Sequence, residues 1–224
     1  MNYSPLILSF KTAAIATIFV FITGVALARI IGRNTFFGKS VVEAIIMLPL
    51  VLPPTVVGFG LLFLFGKNGM IGKLLLDLFD FQIVFTWYGV VLAAIVVSFP
   101  LMYQSASAAF QQYNPNVENA AYTMGASKWK VFWTISFPLA WPGLLAGTVL
   151  SFARALGEFG ATLMIAGYIP NVTDTIPLAI YFAVESGNME VAAFWVVIIV
   201  ALGFSAIVWL NWWSKRSMMK HSQS

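Results

Sequence analysis

Arg154 and Glu158 stand four residues apart inside a long apolar stretch. A charge at membrane depth is costly unless it is paired, and this spacing puts both groups on one helical face. Arg154 could attract a divalent oxyanion transiently while Glu158 keeps it from being trapped. A purely structural ion pair fits the same spacing. A second candidate is Leu48-Pro49-Leu50-Val51-Leu52-Pro53-Pro54-Thr55, with three prolines in six residues. Each proline removes a backbone donor and crowds the preceding turn, so an unbroken helix is excluded. Carbonyls freed at membrane depth must be satisfied by protein or a water-filled cavity. Pro53, Pro54 and Thr55 therefore mark either a packed kink or a broken helix lining a pathway. Pro100, preceded by Ser98, poses the same choice. Little else could do chemistry. The chain has no cysteine and one histidine, His221, in a polar tail. Without a His pair, thiol or carboxylate cluster, no metal site or acid–base enzyme is expected.

The elements that position these residues are membrane spans. Of 224 residues, 60% are hydrophobic and 9% charged, against about 25% charged in a soluble domain. Five apolar segments are long enough to span, at 8–30, 41–66, 87–110, 139–167 and 190–213. The apolar stretch near 177–186 is short, which leaves a sixth span possible and a re-entrant or interfacial helix favoured. The first ten residues carry no positive charge, and the first apolar run is too long for a cleaved signal. With the N-terminus outside, Arg29, Arg33, Lys39, Lys128, Lys130, Lys215, Arg216 and Lys220 face the cytoplasm, and Lys11, Lys67 and Lys73 lie outside. Eight cations inside against three outside satisfies the positive-inside rule. The net charge of +4 is scattered between apolar blocks, so no nucleic-acid partner is expected. The partner indicated by composition is membrane lipid.

This topology puts the polar segment 111–138 inside the cell. Asn114-Pro115-Asn116 is a helix start with Glu118 in the first turn, and a surface helix is expected over 117–124. Gly125 suits the left-handed turn that ends it. Ser127 could cap a second helix through Lys128 to Trp133, with Trp129, Phe132 and Trp133 turned to membrane or bundle. Small Ala120 and Ala121 would let the first helix sit in a partner's groove. In the fourth span Gly143, Gly147, Ser151 and Ala155 recur every four residues, a row that admits another helix closely. If that helix starts near 139, Arg154 lies about 22 Å along it, towards the outer half.

The stretch Glu118–Pro138 resembles the cytoplasmic coupling loop of ABC-importer permeases, whose pattern is E-A-A, three residues, Gly, nine residues, I-x-L-P. Ala120, Ala121, Gly125, Ile135 and Pro138 fit it. Asn119 stands in the usual Glu slot with Glu118 one place early, and Phe137 replaces Leu. Phe152 to Thr162, FARALGEFGAT, looks like a segment shared by molybdate and sulfate permeases. Leu48 to Gly58 and Thr175-Ile176-Pro177 look closer to the molybdate branch. The resemblance covers nearly the whole chain. It implies an all-α type I ABC-importer permease fold: a polytopic helical bundle in the cell membrane, with residues 1–224 as one permease domain and five core spans. It further implies a homodimer, two cytoplasmic ABC ATPase subunits and an extracytoplasmic molybdate-binding protein. The chain lacks any G-x-x-x-x-G-K-[ST] loop, so ATP and Mg are expected on the partner ATPase and no cofactor on this chain. The function implied is ATP-driven molybdate import by alternating access. A sulfate, thiosulfate or tungstate permease is the nearest alternative, and a self-contained secondary carrier the next. A proton-coupled carrier would hold more unpaired acids in its spans than Glu158 and Glu43.

Overall fold

The computed structural model describes residues 3–34 and 36–221, with side chains through residue 209. Lys215, Arg216, Lys220 and His221 therefore lie outside the described side chains. Every regular element among the described residues is helical. Helix α1 is Ser4–Arg33, α2 Lys39–Val51, α3 Pro54–Phe65, α4 Met70–Phe79, α5 Trp87–Gln112 and α6 Asn116–Thr123. Then come α7 (Lys128–Val131), a π-helical turn (Phe132–Ser136), α8 (Phe137–Leu156), α9 (Gly160–Ala166), α10 (Ile176–Glu185) and α11 (Met189–His221).

Helices α1, α5 and α8 form the core, and small residues set how near they come. A Cβ on Gly147 would lie 2.6 Å from that of Ser105, and one on Gly143 would lie 2.6 Å from that of Ala109. Gly24 lies less tightly against Met102, at 3.0 Å. Buried Ala13, Ala16, Ala93, Ala94, Ala106, Ala109, Ala140 and Ala155 continue this packing. In a bilayer, where burial against lipid gains little, such backbone approach is a main source of helix association.

The prolines break the second span as their chemistry requires. Pro53 pushes Leu52 into an extended conformation, ψ 144°. Helix α3 then starts at Pro54, where a missing N–H costs nothing. The two pieces meet at a bend of 114°. Pro49, by contrast, is tolerated within α2.

Two expectations need correction. The fourth span is not one helix over 139–167. It begins earlier, as a continuous rod Lys128–Leu156 of 29 residues, and ends at Gly157. The second helix of the polar segment is this rod's first turn. The wide π turn (Phe137 N–H to the Phe132 carbonyl) lies where Pro138 offers no donor, which lets the rod continue past it. Helix α9 is a separate element, so Arg154 and Glu158 do not share a helix: Glu158 lies in the break. The short α10 has ten residues, about 15 Å, and cannot span. Counting the bent pair as one pass gives five.

The two ends of the bundle are distinct. At one, Ser4 donates to Asp174 (2.9 Å), Ile176 N–H to Ser9 (2.8 Å) and Trp87 Nε1 to Thr12 (2.9 Å). At the other, Arg29 and Arg33 reach Glu118 and Tyr122. Trp195 packs with Ile176, and Leu202 beside Ala13 and Ala16, so α11 runs parallel to α1. The N-terminus and the 113–127 segment thus lie at opposite ends, as the charge distribution requires.

Candidate functional site: an anchored surface helix and two facing breaks

The segment after α5 is built from local signals. Asn114 Oδ1 accepts the Asn116 N–H at 2.9 Å, which turns the chain into α6. The helix ends in a Schellman closure: Ala126 N–H reaches the Ala121 carbonyl (3.1 Å) and Gly125 N–H that of Tyr122 (3.0 Å). Gly125 carries φ +83° with open space where a Cβ would go, so backbone conformation alone calls for glycine there. Ser127 Oγ then accepts the Lys130 N–H at 3.3 Å and starts the rod.

Glu118 points into the bundle and is 6% exposed. Its carboxylate accepts from Arg29 Nη2 (2.8 Å), Ser136 Oγ (2.6 Å) and the Tyr113 hydroxyl, with Arg33 Nη1 at 3.4 Å. Burial disfavours its charge, but the bonds from Arg29, Ser136 and Tyr113 outweigh that and hold the carboxyl at about 2. Arg29 also lies 5.4 Å from the Phe110 ring centroid and 6.0 Å from that of Phe132. One carboxylate therefore joins α6 to α1, to the end of α5 and to the π turn.

The opposite face of α6 is bare. Val117, Asn119, Ala120 and Met124 are exposed, with Met124 at 88%. An apolar stripe of Val117, Ala120 and Met124 at helical spacing suits a partner's groove. Ala121 is half-buried beside it, while Ile135 and Pro138 belong to the rod. The motif residues thus divide into an inward anchor (Glu118), an outward face (Asn119, Ala120), a turn (Gly125) and a rod entry (Ile135, Pro138). The anchor's partners Arg29, Arg33, Tyr113 and Ser136 escaped the sequence reading. The spacing of Arg29 and Arg33, one turn apart at a span end, is the sequence signal that marks them.

The mid-span candidates also come together, with one exception. Arg154 Nη1 donates to Glu158 Oε2 at 2.7 Å, and Glu158 Oε1 accepts the Ala161 N–H at 2.8 Å. Glu158 is buried, whereas Arg154 is 29% exposed. A Cβ on Gly160 would lie 3.0 Å from Pro54, and one on Gly58 would lie 2.7 Å from Ala161. The break carrying Pro53, Pro54 and Thr55 therefore packs on the break carrying Glu158. Ser98 stands apart, fully buried, its hydroxyl donating to the Ala94 carbonyl at 2.6 Å. Among the described residues no group of three or more His, Cys, Asp or Glu could hold a metal.

Residues 6–218 match the family described as "Binding-protein-dependent transport system inner membrane component". YvgM of Bacillus subtilis (strain 168) is 52% identical over 209 residues, 93% of this chain and 92% of its own. "Molybdenum transport system permease protein ModB" of Escherichia coli (strain K12) is 42% identical, covering 96% and 95%. In fold, the chain matches a bacterial alginate ABC transporter solved with an alginate pentasaccharide-bound periplasmic protein. There the TM-score is 0.74 at 17% identity, over 95% of this chain and 78% of the other.

Proposed function

This chain belongs to the inner membrane components of binding-protein-dependent transport systems, and from that premise we propose that it is the membrane subunit through which an ATP-driven importer moves molybdate into the cytoplasm. The carrying observation is α6, fixed inward by Glu118 and offering a bare stripe outward. The substrate reading draws on the molybdenum transport relative at 42% identity.

The N-terminus lies outside and the 113–127 segment in the cytoplasm, following the cation distribution. Two copies pair, each bearing one cytoplasmic ATPase subunit on α6, and a binding protein delivers the oxyanion from outside. ATP and Mg sit on the ATPases; this chain performs no hydrolysis. When ATP draws the ATPases together, α6 moves and carries α1 through the Glu118–Arg29 bond. Lys128–Leu156 is one rod, so displacement at its cytoplasmic foot reaches Arg154 and the facing breaks directly. Such coupling requires that the ATPase contact α6 differently in its two states.

The test is ATPase activity of the chain reconstituted with its ATPase and binding protein, comparing molybdate, tungstate and sulfate. Stimulation by molybdate-loaded binding protein supports the reading. Stimulation by sulfate alone keeps the architecture and changes the substrate, and absence of ATPase association overturns both.

A further inference from the structure

Helix α5 changes character half-way along one line. Ala93, Val97, Gln104 and Gln111 fall within about 40° of one another at 100° per residue. Ala93 and Val97 are buried against Ala161, Ile165 and Ala166 of α9 and Val57 and Leu61 of α3. Below the breaks no described residue covers that line: Gln104, Ala108 and Gln111 are exposed. Gln104 lies eight residues from the end of α5, about 12 Å, well inside the hydrocarbon depth.

Other exposed positions on the spans have a different chemistry. Helix α1 shows Ile15, Ile18, Phe19 and Ile22, and α11 shows Val196, Val197, Val200 and Phe204. Those faces suit lipid. The Gln104 amide does not, since it makes no hydrogen bond among the described residues and an unsatisfied amide in hydrocarbon is costly. The α5 face therefore meets water. Ser107 and Gln111 lead from it into a cavity of about 370 Å³ whose lining includes Arg33 and Asn119 and also Glu118, its charge already met by Arg29. Arg33 spends Nη1 on Tyr122 and Glu118, which leaves the rest of its guanidinium towards the cavity. Asn119 occupies the slot where the motif places Glu, so no second carboxylate stands at this exit.

We propose that the inner half of the translocation route runs along the Gln104–Gln111 face of α5 and leaves through the cavity at Arg33 and Asn119. Its ligand is a tetrahedral dianionic oxyanion. Uncharged amide and hydroxyl donors hold such an ion weakly enough to release it, and Arg33 supplies the outward pull towards the cytoplasm. This rests on the importer reading above and adds a route that Pro53, Pro54, Thr55, Arg154 and Glu158 do not reach.

The chain's lack of cysteine makes the test direct. Gln104→Cys, Gln111→Cys and, as a lipid-facing control, Ile22→Cys are made one at a time in the reconstituted complex. Each is treated from the cytoplasmic side with an anionic, membrane-impermeant methanethiosulfonate. The route requires Gln104→Cys and Gln111→Cys to react more than about tenfold faster than Ile22→Cys, because only a hydrated thiol ionises readily, and molybdate, tungstate or sulfate to slow the reaction. Labelling of Gln104→Cys as slow as the control overturns the route. So does labelling that no oxyanion slows, or a disulfide between two copies through Gln104→Cys in place of labelling. Labelling needs no turnover, so absence of ATP-driven molybdate uptake by the unsubstituted complex counts against the importer reading alone.

Discussion

Replacing Glu118 by Gln should release α6 from the bundle without unfolding the spans. The carboxyl falls from 4.5 to about 2, a shift worth about 3 kcal/mol at 1.36 kcal/mol per unit. That is the differential interaction of the charged form with Arg29, Ser136 and Tyr113, after burial has been offset. A glutamine keeps the shape and one acceptor oxygen but loses the charge, so the local opening equilibrium of α6 should rise on the order of a hundredfold. Hydrogen exchange on the amides of 120–126 reads this directly, with the core amides of α5 as internal reference. The folded-state value is depressed, so the stabilisation is complete above about 4.5 and is lost as pH falls through about 2. The wild-type anchor should therefore be insensitive to pH between 5 and 8, and so should the difference between the two proteins. Unchanged protection in Glu118→Gln would refute the claim that this carboxylate holds α6.

Gly125→Val should reach the membrane at normal levels yet lose uptake, because a β-branched residue at φ +83° costs about 1–2 kcal/mol and misdirects the turn. Gly125→Asn, which tolerates that region, should retain more uptake in the same vesicle assay. Gly147→Val should be far more damaging to folding than Ala146→Val one position away, since the new Cβ would meet Ser105 at 2.6 Å; thermal stability in detergent measures the gap. Arg154→Gln should destabilise by about 3–5 kcal/mol, because it strands the buried Glu158 charge. The double variant Arg154→Gln, Glu158→Gln should recover most of that loss, and a double-mutant cycle with no coupling would dismiss the pair as incidental.

What the sequence made legible was local or periodic. The Asn114 turn, the Gly125 reversal and the Ser127 cap each depend on residues within a few positions, and each lies where those residues place it. The small-residue row on α8 was legible for the same reason, since its spacing alone defines a face. Depth and continuity were harder. Gly157 and Glu158 end the fourth span because the Glu158 carboxylate turns back to cap Ala161, and nothing in hydropathy distinguishes that from a continuing helix. Pro138 carries the opposite lesson: the rod runs past it because a π turn absorbs the missing donor. Arg29 and Glu118 are 89 residues apart, so their pairing is a property of the folded bundle. Ser98 beside Pro100 is buried, with Ser151 of α8 donating to its carbonyl at 3.5 Å.

The position of the breaks explains why the inner surface helix needs so firm an anchor. A helix that crosses the membrane unbroken passes displacement from end to end; one that is broken absorbs it. This chain uses both kinds. The rod that begins at Lys128 is continuous up to Leu156, and it stops where Arg154 and Glu158 face Gly160 and the α2–α3 bend. Under the proposed function, movement delivered at the Lys128 end of the rod is spent at that stop, where α3 and α9 turn together because close packing at Gly58 and Gly160 holds them against each other. An α6 joined loosely to α1 would spend the same movement at the surface. Glu118, buried and bonded to three elements at once, removes that slack. In the proposed importer that rigidity falls where the ATPase would act on α6, and the bonds from Arg29, Ser136 and Tyr113 offset the cost of burying the charge.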